Sequence, residues 1–301
     1  MLQLTSSNNI NIDPELNMRI VAICVCYNEE KLLPFFLDYY TSFCDEIVFF
    51  DGNSTDNSIN IIRSYIGKTK CNIELRINHS IGTIDYFDYG HLTDHWNWNW
   101  NTSLYYIRNY AWKNLFSKLK NDWVIVVDVD EFMYHPIGLR ERLYQLKQQN
   151  ITIPTIQGFD MVSDTFPRYE SGKFLVDTVK SGFWSHEQTK QLIFNGLEID
   201  DINYTPGCHY HEANGRIAVD IDTLFADQIK KLHYRYIGYN EFIERQTQKC
   251  DNVSIYNHQR GFTGFYNARK TMSREEFDMF KQVDTYHDNV FTAISSKKPK
   301  S

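Results

Sequence analysis

The sequence predicts an α/β protein with a doubly wound, mostly parallel sheet, flanking helices and an antiparallel C-terminal extension. Runs rich in β-branched and aromatic residues lie at 19–26, 45–50 and 123–127. They lack alternation, which is typical of strands covered on both faces of a parallel sheet. Between the first two, apolar residues at helical spacing cover 32–43. Alternating strands and helices with short links predict a parallel sheet with helices packed against it.

The remaining elements follow the same logic. A turn at Asp51–Asp56 introduces a helix whose buried face carries Ile59 and Ile62. Ser273 and Glu276 form a capping box at the start of the last helix. Further strands are expected at 73–77, 152–162 and 189–194, and further helices at 104–119, 139–149 and 239–249.

Composition excludes several classes of protein. The chain has 301 residues, of which 42% are hydrophobic and 23% charged, so it is neither disordered nor fibrous. The formal net charge of −7 argues against a nucleic-acid binder, which would present a basic face. Aromatic residues make up 15%, which suits carbohydrate surfaces and cores and leaves room for an oligomer interface.

The six cysteines and the chain ends favour a cytoplasmic protein. No Cys-x-x-Cys pair occurs, so a structural zinc site is not expected, and the scattered thiols suit a reducing compartment. Residues 1–18 read as a flexible leader without the regions of a signal peptide, and 295–301 as a frayed basic tail. The longest early apolar run, at 20–25, is too short to span a membrane.

An aromatic stretch interrupts the pattern between Asn78 and Asn101. It contains the run Trp96–Asn101 and has no clean period. Two interpretations remain open: a substrate loop with exposed aromatics, or an insertion whose aromatics fill the core.

The stretch from Asn121 to Pro136 carries the strongest chemical signal. An apolar strand leads directly into Asp128, Asp130 and Glu131. In open α/β sheets, ligands bind at the carboxyl ends of strands. On an extended backbone, residues two apart point the same way. Two carboxylates so placed suit a divalent cation that also holds phosphate oxygens.

Three segments in this order resemble the family 2 glycosyltransferases of the GT-A fold, and also the related family 92. They are Val25–Glu29, Asp51–Asp56 and Asp128–Phe132, and Arg108-Asn109 precedes the third. The resemblance covers residues 19 to about 135 well and the later part loosely. It implies a nucleotide-sugar-binding half at 19–136 and an acceptor-binding half at 137–294. It also implies transfer, with inversion, of a hexose from a nucleotide-diphosphate sugar, here a UDP-sugar, to a hydroxyl of a carbohydrate or glycoconjugate.

By that resemblance, residues at the first two strand ends bind the nucleoside. They are Tyr27, Asn28, Glu29 and Asp51. Many members have a second Asp where this sequence has Gly52, which leaves the identity of the base open. Asp128 and Asp130 would hold Mn²⁺ or Mg²⁺ against the diphosphate.

Basic and imidazole groups would complete the site. Arg108 and Lys190 can make charge-assisted contacts to phosphate, although either could equally be a surface ion pair. A late His often completes the metal site in such enzymes, and His233 is the choice here, with His209 and His211 as alternatives. A packed or hydrogen-bonded His is the competing interpretation for each.

Several acidic residues are candidates for the catalytic base. Inverting transfer needs a carboxylate to take the proton of the acceptor hydroxyl. Glu187 and Glu212 are the candidates of choice, and Asp160 is a third. An ordinary surface acid is the alternative for each.

Two other functions remain open on sequence grounds. A phosphohydrolase could use Asp128 as nucleophile and Asp130 as acid/base, but such enzymes usually carry the motif on their first strand. A non-catalytic nucleotide- or sugar-binding protein is the other.

Overall fold

The computed structural model describes residues 18–77, 104–115, 122–220, 227–251 and 264–292. The leader up to residue 17, the aromatic run Trp96–Asn101 and the basic tail lie outside the described residues. Met18, assigned to the leader, is buried in the core.

The described ranges contain strands and helices in alternation over much of their length. They are β1 (Arg19–Cys26), α1 (Leu33–Tyr40), β2 (Glu46–Asp51), α2 (Ser58–Tyr65), β3 (Asn72–Ile77), α3 (Leu104–Asn109), β4 (Asp122–Asp128), β5 (Glu131–Tyr134), α4 (Leu139–Gln148), β6 (Ile156–Ser163), α5 (Leu175–Thr178), β7 (Gly182–Trp184), β8 (Ile193–Asn195), β9 (Ile199–Asp201), β10 (Asn214–Gly215), β11 (Ile229–Ile237), α6 (Tyr239–Asp251), α7 (Gly264–Lys270), α8 (Arg274–Asp278) and β12 (Tyr286–His287). Short 3₁₀ turns occur at Ala111–Leu115, His186–Gln188, Pro206–Cys208 and Met279–Gln282.

The central sheet has the order β3-β2-β1-β4-β8. Its first four strands are parallel and β8 is antiparallel to β4. All residues of β2 are buried, as the absence of alternation predicted. The α/β fold class with a mostly parallel sheet and flanking helices is therefore confirmed.

A second sheet, with the order β12-β7-β6-β11-β5, supplies the antiparallel part. β11 is parallel to β6 and antiparallel to β5, and its register aligns His233 with both Glu131 and Asp160. Residues aligned across neighbouring strands project from the same face of a sheet. The second sheet thus places an imidazole between two carboxylates.

Helix α1 fixes the strand that follows the acidic motif. Tyr39 and Tyr40 donate hydrogen bonds to the carbonyl oxygens of Met133 and Glu131, at 2.7 and 2.8 Å. Both hydroxyls are buried, and a buried hydroxyl needs such a partner. The two tyrosines therefore hold the start of β5 against the parallel sheet.

One predicted helix is shorter in the structure. The helix expected at 104–119 gives way after Asn109 to a 3₁₀ turn at Ala111–Leu115, and residues 116–119 lie outside the described ranges. His233 lies inside the nine-residue strand β11, which leads directly into α6. The capping box of Ser273 and Glu276 is confirmed.

All six cysteines lie in the described part of the chain, where each is free and buried. Among the helices described, none combines the length and the apolar character needed to cross a membrane.

Candidate functional site

The central sheet has its topological switch point between β1 and β4. From β1 the chain moves outward to β2 and β3, and then returns to the other side of β1 as β4. The parallel registers pair Cys26 with Asp51 and Val25 with Asp128. The strand ends singled out by sequence thus lie on one edge, at the crevice where open α/β sheets bind ligands.

The loops after β1 and β2 are bound to each other. Asn28 adopts a left-handed conformation with φ of 50°, and its side-chain oxygen accepts a hydrogen bond from the Thr55 backbone N–H at 2.8 Å. Asp51 is fully buried, and its two carboxylate oxygens accept from the Ser54 N–H and hydroxyl, at 2.8 and 2.7 Å. Tyr27, directly after β1, is half-buried. Asp51 therefore shapes the loop, and its predicted contact with a nucleoside stays a prediction.

A cavity of about 160 Å³ opens beside the end of β4. It brings together Arg108, Asp128, Asp130, Glu187, Lys190 and His233 from the sequence predictions. Its lining also contains Val126, Val127, Glu131, Gln188, Leu192, Gly207, Cys208, His209, Arg235, Gln246, Lys249 and Arg269.

Asp128 and Arg108 form one wall of the cavity. Arg108 Nη2 donates to Asp128 Oδ1 at 2.7 Å, and the Asp128 side chain remains 43% exposed. The next residue, Asn109, exchanges hydrogen bonds with the backbone of Tyr204, accepting from its N–H at 2.6 Å and donating to its carbonyl at 3.3 Å. The Arg-Asn pair thus serves two purposes: Arg108 faces the acid, and Asn109 anchors the loop that leads to Cys208.

Asp130 sits in a different electrostatic environment from Asp128. The chain turns after β4, and Asp130 Oδ2 accepts from Arg245 Nη2 at 2.6 Å, with Lys249 Nζ at 3.6 Å. Arg245 also donates to Glu29 Oε1 at 3.0 Å. Burial opposes ionisation of Asp130, but Lys249, His233 and Arg245 outweigh it and hold the pKa of the carboxyl well below its ordinary value. The carboxylate form of Asp130 is therefore favoured in this site.

His233 is oriented by Asp160. Its Nδ1 lies 2.8 Å from Asp160 Oδ1, and its Nε2 lies 3.4 Å from Asp130 Oδ2. Asp160 is buried. Burial alone would raise the pKa of its carboxyl, but the hydrogen bond to His233 and the charge of Arg235 outweigh that effect, so the pKa lies below its ordinary value. Asp160 therefore fixes the orientation of the imidazole through Nδ1, and Nε2 points toward Asp130.

A buried lysine, Lys231, is hydrogen-bonded to two residues that line the cavity. Lys231 Nζ donates to Glu131 Oε1 and Gln188 Oε1, both at 2.7 Å, and its side chain is 0% exposed. Burial disfavours the Glu131 carboxylate, yet Lys231 and Lys190 overcome that effect and lower its pKa. The turn that carries Gln188 lies so close to β6 that a Cβ on Gly158 would meet the Gln188 carbonyl carbon at 2.0 Å. Gly158 is thus required for this approach.

Glu187 and Glu212 are separated by the fold. Both residues are exposed, but Glu187 lies on the turn before Lys190 and lines the cavity, whereas Glu212 lies on a loop outside the lining, where its N–H donates to the Asn203 carbonyl. His209 lines the cavity, while the His211 ring packs edge-on against Tyr204, with ring centroids 6.4 Å apart. A 3₁₀ turn at Pro206–Cys208 directly precedes these two histidines.

The described lining of the cavity carries slightly more basic than acidic side chains. Among the described residues, five basic and four acidic side chains line it. Asp130 pairs with Arg245 and Glu131 with Lys231, two basic residues outside the lining, and Asp130 also contacts Lys249 of the lining at 3.6 Å. The remaining balance favours an anionic ligand.

Sequence reasoning missed the basic residues of the C-terminal elements. They are Arg235, Arg245, Lys249 and Arg269. Arg245 and Lys249 are four residues apart on α6, so they share a helix face. That spacing is the one signal available, and it is also common on solvated helices.

In the described ranges, no group of three or more His, Cys, Asp or Glu side chains is arranged to hold a metal ion. A full protein cage is therefore not present in that part of the chain.

Comparisons with known proteins give weak likenesses only. Neither a protein-family model nor a curated protein matches the sequence. A structure of S. aureus TarS 1-349 with UDP aligns over 88% of this chain and 75% of its own, at 15% identity and a TM-score of 0.41. The complex of the same fragment with UDP-GlcNAc covers 87% and 70%, at 13% and 0.39. Core-mannan synthase A of Aspergillus fumigatus, in a Mn/GDP form, covers 54% and 45%, at 11% and 0.28. Likenesses at these values carry no argument about what this chain does.

Proposed function

We propose that the chain is a glycosyltransferase of the GT-A type, related to families 2 and 92, that moves a hexose from a UDP-sugar to a hydroxyl acceptor. The observation that supports this proposal is the cavity at the switch point between β1 and β4. Acidic and basic side chains line it, beside the hydrogen-bonded loops that follow β1 and β2. Nucleotides bind at such a crevice in open α/β sheets.

In the proposed donor complex, the two halves of the nucleotide are bound by different residues. Tyr27 and Asn28, on the loops shaped by Asp51, lie where the nucleoside would bind. Arg108 and Lys190 face the cavity, where they would make charge-assisted hydrogen bonds to the diphosphate. Glu29 contributes through Arg245, which links the first loop to Asp130.

Asp130 and His233 fit a divalent cation, Mn²⁺ or Mg²⁺. The imidazole Nε2 faces the Asp130 carboxylate, while Nδ1 is held by Asp160, the usual arrangement behind a ligating His. A carboxylate has about four acceptor positions, so Asp130 can keep Arg245 as a partner. Such ions are often held by one or two carboxylates together with substrate phosphates, so a larger protein cage is not needed. When bound, the ion would act as a Lewis acid that neutralises charge on the departing diphosphate. Asp128, at the end of β4, would be a further carboxylate ligand of the ion.

Glu187 is the proposed base, and inversion the proposed outcome. It lines the cavity and can take the proton of the acceptor hydroxyl, whereas Glu212 lies outside the lining and Asp160 is bound to His233. A carboxylate on one side of the sugar with the diphosphate on the other is the arrangement that inversion requires.

Replacing Glu187 by Gln is expected to lower kcat by about 100-fold or more, because proton transfer typically contributes 10²- to 10⁴-fold. The Kd for the donor should change little. Glu212→Gln is the matched control and should retain kcat within about twofold. Equal losses in the two variants would contradict the assignment of Glu187.

Lys190 gives donor binding a dependence on pH. Burial, reinforced by the charge of Lys231, lowers the pKa of Lys190 to about 8. The cation is therefore present at pH 7 and lost as the pH rises through 8. Affinity for UDP-glucose should fall by up to about tenfold per pH unit above 8, because the bound diphosphate favours the protonated lysine. In Lys190→Arg the guanidinium stays charged, so calorimetry should find nearly constant affinity from pH 7 to 9. Identical pH profiles for the two proteins would refute this role.

The function itself is tested by incubating the protein with Mn²⁺ and a panel of nucleotide sugars. Slow release of the nucleoside diphosphate, lost in Asp130→Asn, is expected. Binding without turnover, even with acceptors, would indicate a non-catalytic binding protein instead. Phosphate release from simple phosphoesters would indicate a phosphohydrolase.

A further inference from the structure

Gln246 borders the cavity without taking part in its ion pairs. It lies on α6, and only 1% of its surface is exposed. Its side-chain oxygen, Oε1, is buried and has no hydrogen-bond partner among the residues that the structure describes. Within the described ranges, Gln246 is the one cavity-lining residue that has a buried polar side-chain atom in this state. Its amide is therefore available to a ligand that fills the cavity.

The position of Gln246 belongs to the buried face of α6. The buried residues of that helix are Phe242, Arg245, Gln246 and Cys250. An apolar side chain at position 246 would be more favourable for folding alone, because a buried amide without a partner is destabilising. A ligand that hydrogen-bonds to the amide would remove that penalty. The residue type thus fits binding better than packing.

The neighbours of Gln246 on α6 place it beside the proposed ion. Arg245 Nη2 lies 2.6 Å from Asp130 Oδ2, and Lys249 Nζ lies 3.6 Å from the same oxygen. Gln246 follows Arg245 directly and lies three residues before Lys249, a spacing that brings two helical side chains to the same side. Both Gln246 and Lys249 line the cavity. In the proposed donor complex, this region adjoins the diphosphate, to which the transferred sugar is joined.

The chemistry of the amide selects the group that it can bind. An ionised phosphate oxygen only accepts hydrogen bonds, so it cannot satisfy Oε1, whereas a sugar hydroxyl can donate to Oε1 or accept from Nε2. The proposed nucleoside contacts, Tyr27, Asn28 and Asp51, are not among the described residues that line this cavity. The amide therefore suits the sugar better than the phosphates or the base.

We propose that Gln246 recognises a hydroxyl group of the transferred hexose through its side-chain amide. The inference rests on the glycosyl transfer proposed above and names Gln246 as a residue that determines sugar selectivity. The terminal torsion of a glutamine side chain has a broad range, so Oε1 can turn toward a hydroxyl that enters from the cavity. A donor that lacks this hydroxyl would leave the buried amide unpaired, and such a loss is a source of discrimination between substrates.

The test is calorimetry in the presence of Mn²⁺ with UDP, UDP-glucose and UDP-glucose analogues that each lack one sugar hydroxyl. Gln246→Leu replaces the amide by an apolar group of similar volume. It should bind UDP-glucose about three- to tenfold more weakly than the wild type, the usual effect of one hydrogen bond, and UDP within about twofold. One analogue should bind the wild type more weakly than UDP-glucose by the same factor, yet bind Gln246→Leu as tightly as UDP-glucose does.

Two further variants and a stability measurement separate binding from folding. Gln145→Leu is the matched control, because Gln145 lies on α4 outside the lining and donates to Glu141 Oε1 at 2.9 Å. It should keep the wild-type preference for UDP-glucose over UDP. Gln246→Met, made in parallel, carries the measurement if Gln246→Leu fails to fold. The unfolding midpoint of ligand-free Gln246→Leu should equal or exceed that of the wild type, because an unpaired buried amide is removed.

The outcomes distinguish this inference from the proposed function. Equal losses of affinity for UDP and UDP-glucose in the Gln246 variants would overturn the inference, because the residue would then support the fold or the nucleotide. The same ranking of the analogues in the wild type and in Gln246→Leu would overturn it as well, although the proposed transferase would stand. Failure of the wild type to bind UDP would refute the proposed transferase, and the inference with it.

Discussion

Asp130→Asn is expected to abolish Mn²⁺-dependent nucleotide binding and turnover. The substitution removes the carboxylate that faces His233 Nε2 at 3.4 Å and that also neutralises Arg245. Loss of outer partners of a metal site typically weakens metal affinity 10- to 100-fold, so loss of a proposed ligand should cost at least about 100-fold. Isothermal titration of UDP in the presence and absence of Mn²⁺ measures this effect.

The stability of the same variant must be measured alongside. Arg245 and Lys249 lose a counter-charge in this variant, so its thermal unfolding midpoint should fall. The titration must therefore be carried out well below the unfolding midpoint of the variant. Asp164→Asn is the matched control, because Asp164 is an exposed acid paired with Arg274 at 2.7 Å. Undiminished Mn²⁺-dependent affinity in folded Asp130→Asn would refute the metal assignment.

Lys231→Met is expected to lower the free energy of unfolding by about 3–5 kcal/mol, the usual cost of leaving one partner of a buried ion pair uncompensated. Glu131 would lose its 2.7 Å partner, and Gln188 would lose the contact that holds the turn beside Glu187. Urea unfolding measures the change.

Two variants make the Lys231 prediction specific. Lys230→Met removes the adjacent, equally buried lysine of β11. Burial lowers the pKa of Lys230, so folding disfavours its charge below that pKa, and the substitution should be neutral or stabilising. Lys231→Met combined with Glu131→Leu should recover most of the loss, because an apolar pair of similar volume can replace a buried ion pair. Equal destabilisation by Lys230→Met and Lys231→Met would show that the Lys231–Glu131 pair is not the cause.

The parallel sheet could be predicted because its signals are local. The runs that became β1, β2 and β4 carry their own apolar pattern, and the acids after them mark where each strand ends. Parallel strands bring those ends to one edge, which is why Asp51 and Asp128 are predictable as neighbours along that edge. Whether Asp51 touches a ligand could not be predicted, because its burial depends on the hydrogen bonds from Ser54.

The second sheet was harder to predict because its polar face is buried. In β11, Lys231, His233 and Arg235 alternate with Leu232, Tyr234 and Tyr236, a period of two that indicates a strand. Charged residues at such positions normally face solvent. Here they face Glu131, Asp160 and the cavity, and those partners lie roughly 70 to 100 residues away in sequence. Only the register of β5, β11 and β6 brings them together.

The choice between Glu187 and Glu212 also depended on long-range contacts. Both are acids near histidines in loops, so the sequence could not rank them. The close approach of the Gln188 turn to Gly158 places Glu187 at the cavity, and nothing in the sequence near Glu187 records that approach.

The most direct test of the proposed function is a crystal structure with Mn²⁺ and UDP, with anomalous scattering to locate the metal. We predict a manganese peak between Asp130 and His233, the diphosphate beside Arg108 and Lys190, and the uridine on the loops that carry Tyr27 and Asn28. A metal bound away from Asp130, or UDP bound outside the crevice between β1 and β4, would contradict it.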